Sequence, residues 1–399
     1  MPPESEIPMT SHAASRRFAA RLGLFYGTLF GLTGTHLPFF PVWLRAIGLE
    51  ASWIGVISAV PAVTRFTVLP LITGLAERRH ALRGALMLTA FASALGFAVV
   101  GTQHWPVPIF LLYVATCCLW TPMVPLTDAY ALRGVVRYGL NYARLRLWGS
   151  AAFVVGALAC GLLIDMIAAS RLVWIIVGVA ALGAVVSLAL QPLDDSGRTA
   201  AAGHGDGSLL RRRSFLAIIV AAALIQGSHA AYYTFGSITW QSQGLSGLTI
   251  AGLWALGVLA EIVVFALSPR FTLSPAMMVV IGGLSGAARW FVTAQEPPLA
   301  VLAAVQLAHG LSFGLTQVGS MGLLVRQVPV HAMARGQGYY AACSGMISSS
   351  TSIVSGVIYT HYGQGVYYLM AAMAASGAVL MWYARRSLLH QPHSAASGG

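Results

Sequence analysis

Long apolar runs alternate with short polar segments along almost the whole chain. An α-helix needs about 20 apolar residues to cross the ~30 Å hydrocarbon core of a bilayer. The pattern predicts twelve such helices, at 21–43, 53–75, 83–103, 106–130, 144–166, 171–191, 214–238, 248–268, 275–294, 298–322, 337–359 and 365–385. The longest polar break, 192–213, predicts a flexible linker between six-helix halves at 21–191 and 214–386, with tails at 1–20 and 387–399.

The composition is typical of integral membrane proteins. Hydrophobic residues make up 57% of the 399 residues and charged residues only 9%, whereas soluble domains have about 25% charged residues. All 23 basic residues are arginine. With a cytoplasmic N-terminus, nineteen arginines lie in cytoplasmic segments, Arg45 and Arg171 lie on the opposite side, and Arg65 and Arg289 lie inside helices. Because basic residues concentrate in cytoplasmic loops, both termini are predicted to be cytoplasmic.

Several function classes lose support from the sequence. The net charge of +12 is divided among short segments between apolar runs, unlike the single basic surface of a nucleic-acid-binding protein. A Walker phosphate loop needs a lysine, and the chain has none, so no ATP-driven motor is expected. An intramembrane enzyme or a non-transporting sensor is the weaker alternative, because we find no hydrolase motif and no soluble output domain. The four cysteines lie in apolar runs without metal-ligand spacing, so neither a cofactor nor a metal is predicted.

An internal repeat supports two equivalent halves. Around the end of the first predicted helix the chain reads HLPFFPVWLRAIGLEASWIG, and around the end of the seventh it reads HAAYYTFGSITWQSQGLSGLTIAG. Both segments place a histidine in the helix, a tryptophan at its outer end and a Gly-Leu turn before the next helix. The spacing from Trp43 to Gly55 equals that from Trp240 to Gly252. Repeats of this kind are typical of secondary transporters, which bind substrate between the repeats near the bilayer midplane.

Three ionisable side chains lie deep inside consecutive predicted helices. A charge at the bilayer centre costs about 2.5–3.5 kcal/mol or more, so each of these residues needs a specific reason to be there. We predict that Glu261, Arg289 and His309 form a proton-coupling group, because an acid whose arginine partner can leave changes its proton affinity. The alternative is a static buried ion pair that fixes helix packing.

A second set of residues is predicted to bind substrate. Asp128 and Arg146 flank the loop between the fourth and fifth predicted helices, where they either reach a central cavity or remain interfacial charges. Aromatic and imidazole groups in the first and seventh helices suit a ring-shaped solute, although such groups also serve helix packing. The candidates of this second type are His36, His229, Tyr233 and Trp240.

Several segments together resemble a known transporter family. They are LPFFPVWLRAIGL, TDAYALRG, NYARLRLWGSAAFVVG, AAYYTFGSITWQSQGLSGLTIAGLWALGVLAEI and RGQGYYAACSG. In order, and over about 20–385, they are similar to the phenylpropionate permease family of the major facilitator superfamily, which is related to oligosaccharide:proton and nucleoside:proton symporters such as the lactose permease family. The resemblance implies an all-α major facilitator fold of twelve transmembrane helices in two pseudo-symmetric halves. It also implies a monomer in the bacterial inner membrane.

The same resemblance implies roles for individual residues. Glu261, Arg289 and His309 would carry proton coupling. Asp128 and Arg146 occupy the two positions, eighteen residues apart, at which sugar-transporting relatives hold their substrate. The lactose permease family has a second acid shortly after the histidine. Here GLSFGLTQVGS follows without an acid, which leaves the route of the proton open.

The loop after the second predicted helix reads TGLAERR and partly matches the superfamily pattern at that place. Glu77, Arg78 and Arg79 could close the cytoplasmic side through ion pairs that break on opening, or could form an ordinary solvated turn.

The predicted function is uptake of a small organic solute by alternating access, driven by the proton gradient. An aromatic acid such as 3-phenylpropionate is the first candidate substrate. A sugar or nucleoside symporter, or a proton-coupled exporter, is the alternative.

Overall fold

The computed structural model describes residues 12–78, 81–140, 142–193, 207–329 and 332–389, and most of them are helical. The first eight α-helices are α1 (His12–Ala46), α2 (Ala51–Thr67), α3 (Leu69–Arg78), α4 (Leu82–Gly101), α5 (Pro106–Trp120), α6 (Met123–Tyr138), α7 (Tyr142–Ile164) and α8 (Leu172–Ser187). The next eight are α9 (Arg213–Gly227), α10 (Ala230–Ser242), α11 (Gly247–Leu267), α12 (Pro275–Thr293), α13 (Leu299–Leu307), α14 (Thr316–Gln327), α15 (Met333–Tyr362) and α16 (Val366–Leu389). Over the described residues they confirm the all-α fold, and each predicted span contains one helix or one broken pair.

Four of the spans are interrupted. The pair α2–α3 bends by 46°, and Pro70 at the start of α3 fits this break because proline cannot continue the hydrogen bonding of the preceding turn. Pro122 lies at the break between α5 and α6 for the same reason. The other two breaks lie at Ser228–His229 and at a π-helical turn, Gly310–Leu315. By length and hydropathy alone, eight described segments could cross a membrane, or nine with the bent pair.

The described helices fall into two compact groups by their contacts. The first unit contains α1 up to Trp43 together with α3–α8, and the second unit contains α2 and α9–α16. The grouping therefore differs from chain order, because α2 belongs with the later helices. The division into halves at 192–213 stays a prediction, since 194–206 lie outside the described residues.

Glycines explain why α2 lies in the second unit. A Cβ atom on Gly55 would lie 2.6 Å from the backbone oxygen of Ser352 in α15, and one on Gly356 would lie 2.7 Å from the backbone oxygen of Ala51. The Ser352 hydroxyl donates a hydrogen bond to the Gly55 carbonyl at 3.0 Å. Small residues let membrane helices approach this closely, and the close approach supplies packing energy that a lipid-facing surface lacks.

Candidate functional site

Three predicted residues meet in the second unit in a linear arrangement. Arg289 of α12 places Nη1 2.8 Å from Nδ1 of His309. Nε2 of His309, on the other side of the ring, lies 3.8 Å from Oε2 of Glu261 in α11. Arg289 therefore connects to Glu261 through the histidine, where the sequence had suggested a direct pair. The longer separation exceeds a hydrogen bond by about 1 Å, so a small movement can make or break it.

The arginine fixes the tautomer of His309. Guanidinium N–H groups can only donate, so Nδ1 of His309 accepts the hydrogen bond from Arg289. A neutral His309 must then carry its proton on Nε2, which is the atom that faces Glu261. The imidazole thus presents a donor to the carboxylate, and the proton stands where a transfer between the two groups would take place.

Arg289 is buried, with 2% of its surface exposed, and neutral groups surround it. Its Nη2 donates to Oε1 of Gln306 at 2.9 Å, and its Nη1 lies 3.4 Å from the hydroxyl of Ser312. The guanidinium carbon lies 4.8 Å from the ring centre of Tyr232 and 4.3 Å from that of Trp290, within the range of cation–π attraction. Nε has no hydrogen-bond partner in the described part of the chain. The positive charge is therefore held by dipoles and aromatic rings, with Glu261 as the nearby acid beyond His309.

His229 joins the same cluster in a second fixed tautomer. Its Nδ1 lies 3.1 Å from the Ile225 carbonyl, which can only accept, so Nδ1 carries the proton. Its Nε2 then accepts from the Ser312 hydroxyl at 3.2 Å. Ser312 in turn can accept from Arg289. A second hydrogen-bonded branch thus runs from the arginine to the break between α9 and α10.

The π-helical turn positions the histidine. Glycines at its start and middle let it lie against α11: a Cβ atom on Gly310 would be 2.5 Å from the Ala260 carbonyl oxygen, and one on Gly314 would be 3.0 Å from Val264. Glu261 directly follows Ala260, and His309 directly precedes Gly310, so this close contact brings the two functional side chains together. π-Helical turns are rare and occur frequently at functional sites.

Aromatic side chains extend the cluster. The Tyr233 ring lies 5.9 Å from that of His229, 6.0 Å from that of Trp254 and 6.5 Å from that of His309. Tyr233 is half-buried and can meet a ligand. Trp240 is 3% exposed and packs on Tyr232 at 5.9 Å. That burial favours a packing role, and contact between Trp240 and substrate stays a prediction.

The other predicted substrate residues lie in the first unit. His36 is 6% exposed, and its Nε2 lies 3.0 Å from the Tyr113 hydroxyl. Its ring lies 4.6 Å from that of Phe40 and 4.5 Å from that of Trp120. Asp128 of α6 accepts a hydrogen bond from the Tyr26 hydroxyl at 2.6 Å.

The remaining predictions fall on parts of the chain about which little is described. Arg146 lies in α7, but its side chain is outside the described residues. The same holds for the side chains of Glu77 and Arg78 at the end of α3, and Arg79 is outside altogether. Within the described ranges, no group of three or more His, Cys, Asp or Glu side chains could hold a metal ion.

Sequence reasoning missed Gln306 and Ser312, which hold Arg289. Both are three residues from His309, and residues three apart share a helix face. That spacing was a usable signal. The cluster as a whole can bind one proton on Glu261 beside a fixed positive charge, and it can transmit the change to α12 through His309.

Comparisons with known proteins identify the family and the fold. The model of the MFS_1 like family matches residues 19–370. The chain is 32% identical over 364 residues to a probable 3-phenylpropionic acid transporter of Escherichia coli (strain K12), covering 88% of this chain and 94% of that protein. It is 29% identical to a maltose permease of Geobacillus stearothermophilus, covering 90% of this chain and 92% of the permease.

Two solved structures share the fold at low identity. The nucleoside transporter NupG superposes with a TM-score of 0.78 at 15% identity, covering 94% of this chain and 100% of that one. A D-xylose-proton symporter superposes with a TM-score of 0.66 at 15% identity, covering 93% and 98%. At such identity these structures bear on the fold alone.

Proposed function

The chain belongs to the MFS_1 like family of major facilitator transporters, and we propose that it takes up a small organic acid together with a proton. It is a multi-pass membrane protein that is built for transport and not for catalysis of a chemical reaction. To family membership and transport the proposal adds five properties of this protein. They are the coupling ion, the direction of transport, the substrate class, a monomeric state and cytoplasmic termini. The proton gradient would supply the energy, without a cofactor.

The observation that carries the proposal is the chain of contacts from Arg289 through His309 to Glu261. The Glu261 carboxylate is half-buried, with 24% of its side chain exposed, and it lies near an imidazole N–H group. Such a carboxylate can exist with or without its proton. When Glu261 is ionised, the Nε2–H group of His309 and the charge of Arg289 attract it. When Glu261 is protonated, that attraction is lost. The difference in interaction energy allows the proton to favour one conformation over another.

In the proposed cycle, Glu261 is protonated before substrate binds from outside. Opening to the inside lets the substrate leave and then the proton, after which the ionised Glu261 draws His309 back. Substrate contacts would come from Tyr233 and His229 beside the cluster, and the roles predicted for Asp128, Arg146 and His36 in the first unit stay predictions. Glu77 and the neighbouring Arg78 and Arg79 would form the inner gate.

Two substrate classes compete within this scheme. An aromatic carboxylate is favoured by the 32% identity to the probable 3-phenylpropionic acid transporter and by the half-buried Tyr233. A sugar is the second candidate, because the maltose permease is 29% identical over a similar length.

The test is uptake into proteoliposomes with an imposed pH gradient. Labelled 3-phenylpropionate, maltose and uridine would each be offered with and without a protonophore. The variants are the wild type, Glu261→Gln and the control Glu50→Gln, which makes the same change at an exposed residue outside the predicted spans.

We expect protonophore-sensitive accumulation of 3-phenylpropionate by the wild type and Glu50→Gln. Glu261→Gln should lose accumulation and keep exchange of internal for external substrate, because a glutamine cannot release a proton. Accumulation of maltose or uridine without accumulation of 3-phenylpropionate would show that the substrate is a sugar or a nucleoside and not an aromatic acid. Full accumulation by Glu261→Gln would contradict the role of this residue in coupling.

A further inference from the structure

A second arginine, Arg65, lies inside a membrane-spanning helix and plays no part in the scheme above. It is fourteen residues from Ala51, the first residue of α2, or about 21 Å along the helix. Glu261 is likewise fourteen residues from Gly247, the first residue of α11. The two charges therefore occur equally far along the helices that follow the two repeated segments.

Arg65 differs from Arg289 in its surroundings. Arg289 is buried and makes hydrogen bonds, whereas the Arg65 side chain is exposed. Within the described ranges, Arg65 forms no hydrogen bond and no ion pair with an acid. A cation at this depth in a transporter normally faces a water-filled cavity or a partner, because exposure to hydrocarbon is costly. We therefore infer that Arg65, which has no counter-charge among the described residues, faces water and is available to an anion.

The neighbours of Arg65 connect it to the coupling cluster. Phe66, the next residue, packs closely against Gly345 of α15, because a Cβ atom added to Gly345 would lie 2.5 Å from the Phe66 ring. This part of α2 is therefore held within the second unit. Tyr233 lies close enough to both Arg65 and Glu261 for each charge to act on its hydroxyl group. The half-buried Tyr233 is thus a common neighbour of Arg65 and of the acid to which we assign the proton.

We propose that Arg65 binds the carboxylate of the transported organic acid while the apolar part of that acid packs against Tyr233. The guanidinium group suits this role because it can donate two parallel hydrogen bonds to one carboxylate. Tyr233 offers a ring face that is backed by Trp254 at 6.0 Å. This inference rests on the proposed function and adds the residue that selects an anion over a neutral solute.

The placement also links anion binding to the proton. Because Tyr233 is a neighbour of Glu261 as well as of Arg65, we expect a carboxylate bound to Arg65 to be repelled by the ionised form of Glu261 in a site of low dielectric. The anion therefore binds the form of the protein in which Glu261 is protonated. By reciprocity, anion binding favours retention of the proton, which is the coupling that symport requires.

The experiment compares an anion with its neutral isostere. Binding of 3-phenylpropionate and 3-phenylpropanamide to the full-length protein in detergent would be measured by calorimetry at one fixed pH. The variants are the wild type, Arg65→Gln, Arg65→Lys and the control Arg45→Gln, which removes one charge from an exposed residue outside the spans. Elution volume in size-exclusion chromatography and thermal midpoint would show that each variant is folded.

We expect Arg65→Gln to weaken binding of 3-phenylpropionate by about 10- to 100-fold, because a charge-assisted hydrogen bond contributes about 1.5–3 kcal/mol. Binding of the amide should change by less than about threefold, and Arg65→Lys should restore part of the affinity for the acid, since a lysine keeps the charge and loses the paired geometry. Arg45→Gln should bind like the wild type.

Two results would overturn the proposal. If Arg65→Gln keeps its affinity for the acid, the arginine does not hold the carboxylate. If acid and amide weaken equally, Arg65 supports the structure of the site and does not select charge. Failure of the proposed function would look different, because the wild type itself would then not accumulate 3-phenylpropionate in the vesicle assay.

Discussion

His36 in the first unit and His309 in the second unit are almost equally buried, with 6% and 5% of their surfaces exposed. His36 has the Tyr113 hydroxyl at 3.0 Å and otherwise aromatic neighbours. His309 has Arg289 on one ring nitrogen and Glu261 near the other. Burial alone therefore does not distinguish the two histidines. The groups beside their ring nitrogens do distinguish them, because His309 has a guanidinium and a carboxylate there and His36 has a hydroxyl.

The comparison extends to the repeat itself. His36 and His229 start the two repeated segments, but they stand seven and eleven residues before the tryptophan of their own segment. His229 bonds to Ser312 and through it to Arg289, whereas the described surroundings of His36 are aromatic. Among the described residues, the second unit thus places an arginine and a glutamate beside its buried histidine His309. We infer that the second unit carries the coupling to the proton.

The largest effect should come from the same substitution at the two histidines. His309→Gln removes the group between Arg289 and Glu261, and we expect the accumulation ratio of 3-phenylpropionate to fall about 10-fold or more, since charge-assisted contacts contribute about 1.5–3 kcal/mol each. His36→Gln should leave the ratio within about twofold. Uptake into proteoliposomes under a fixed pH gradient would measure both. An equal fall of the accumulation ratio in the two variants would contradict the inference that the second unit carries the coupling to the proton.

The sequence predicted the helical spans and the three members of the cluster, because apolar length and intramembrane charge are local properties. It did not predict how Arg289 reaches Glu261. Helical periodicity gives the face on which a side chain lies, and it cannot give the distance between two helices. The π-helical turn after His309 also breaks the 3.6-residue period on which that reasoning depends.

The grouping of α2 was also beyond the sequence. Gly55 and Gly356 are 301 positions apart, and nothing local marks them as neighbours in the way that the Gly-Leu turns mark the repeats. The same holds for Tyr113, whose bond to His36 joins α5 to α1. Contacts between distant helices depend on the complementary shapes of both helix surfaces. The sequence of one helix describes its own surface and does not identify the helix that packs against it.

A smaller effect should follow from changing the contact that positions His309. Gly310→Val adds atoms where a Cβ would already be 2.5 Å from the Ala260 carbonyl oxygen, so α11 and the π-helical turn must separate. Overpacking costs about 1–3 kcal/mol. We expect a lower thermal midpoint and a several-fold lower accumulation ratio, because His309 moves away from Glu261.

Gly252→Val in α11 is the matched control, because a Cβ atom added to Gly252 would meet no atom of a packing neighbour within 4 Å. It should keep both the accumulation ratio and the thermal midpoint. If Gly310→Val accumulates substrate like this control, the close approach of α11 is not needed for coupling.

The smallest effect is expected in the first unit. Tyr113→Phe removes the hydroxyl 3.0 Å from Nε2 of His36 and leaves the aromatic packing in place. Loss of one buried hydrogen-bond partner should lower the free energy of unfolding by about 1–2 kcal/mol, visible as a lower thermal midpoint, while KM for uptake stays within about twofold. A KM that rises several-fold would show instead that His36 reaches substrate. The first unit would then contact substrate while the second unit handles the proton. Both histidines would in that case be functional, and they would differ in their tasks.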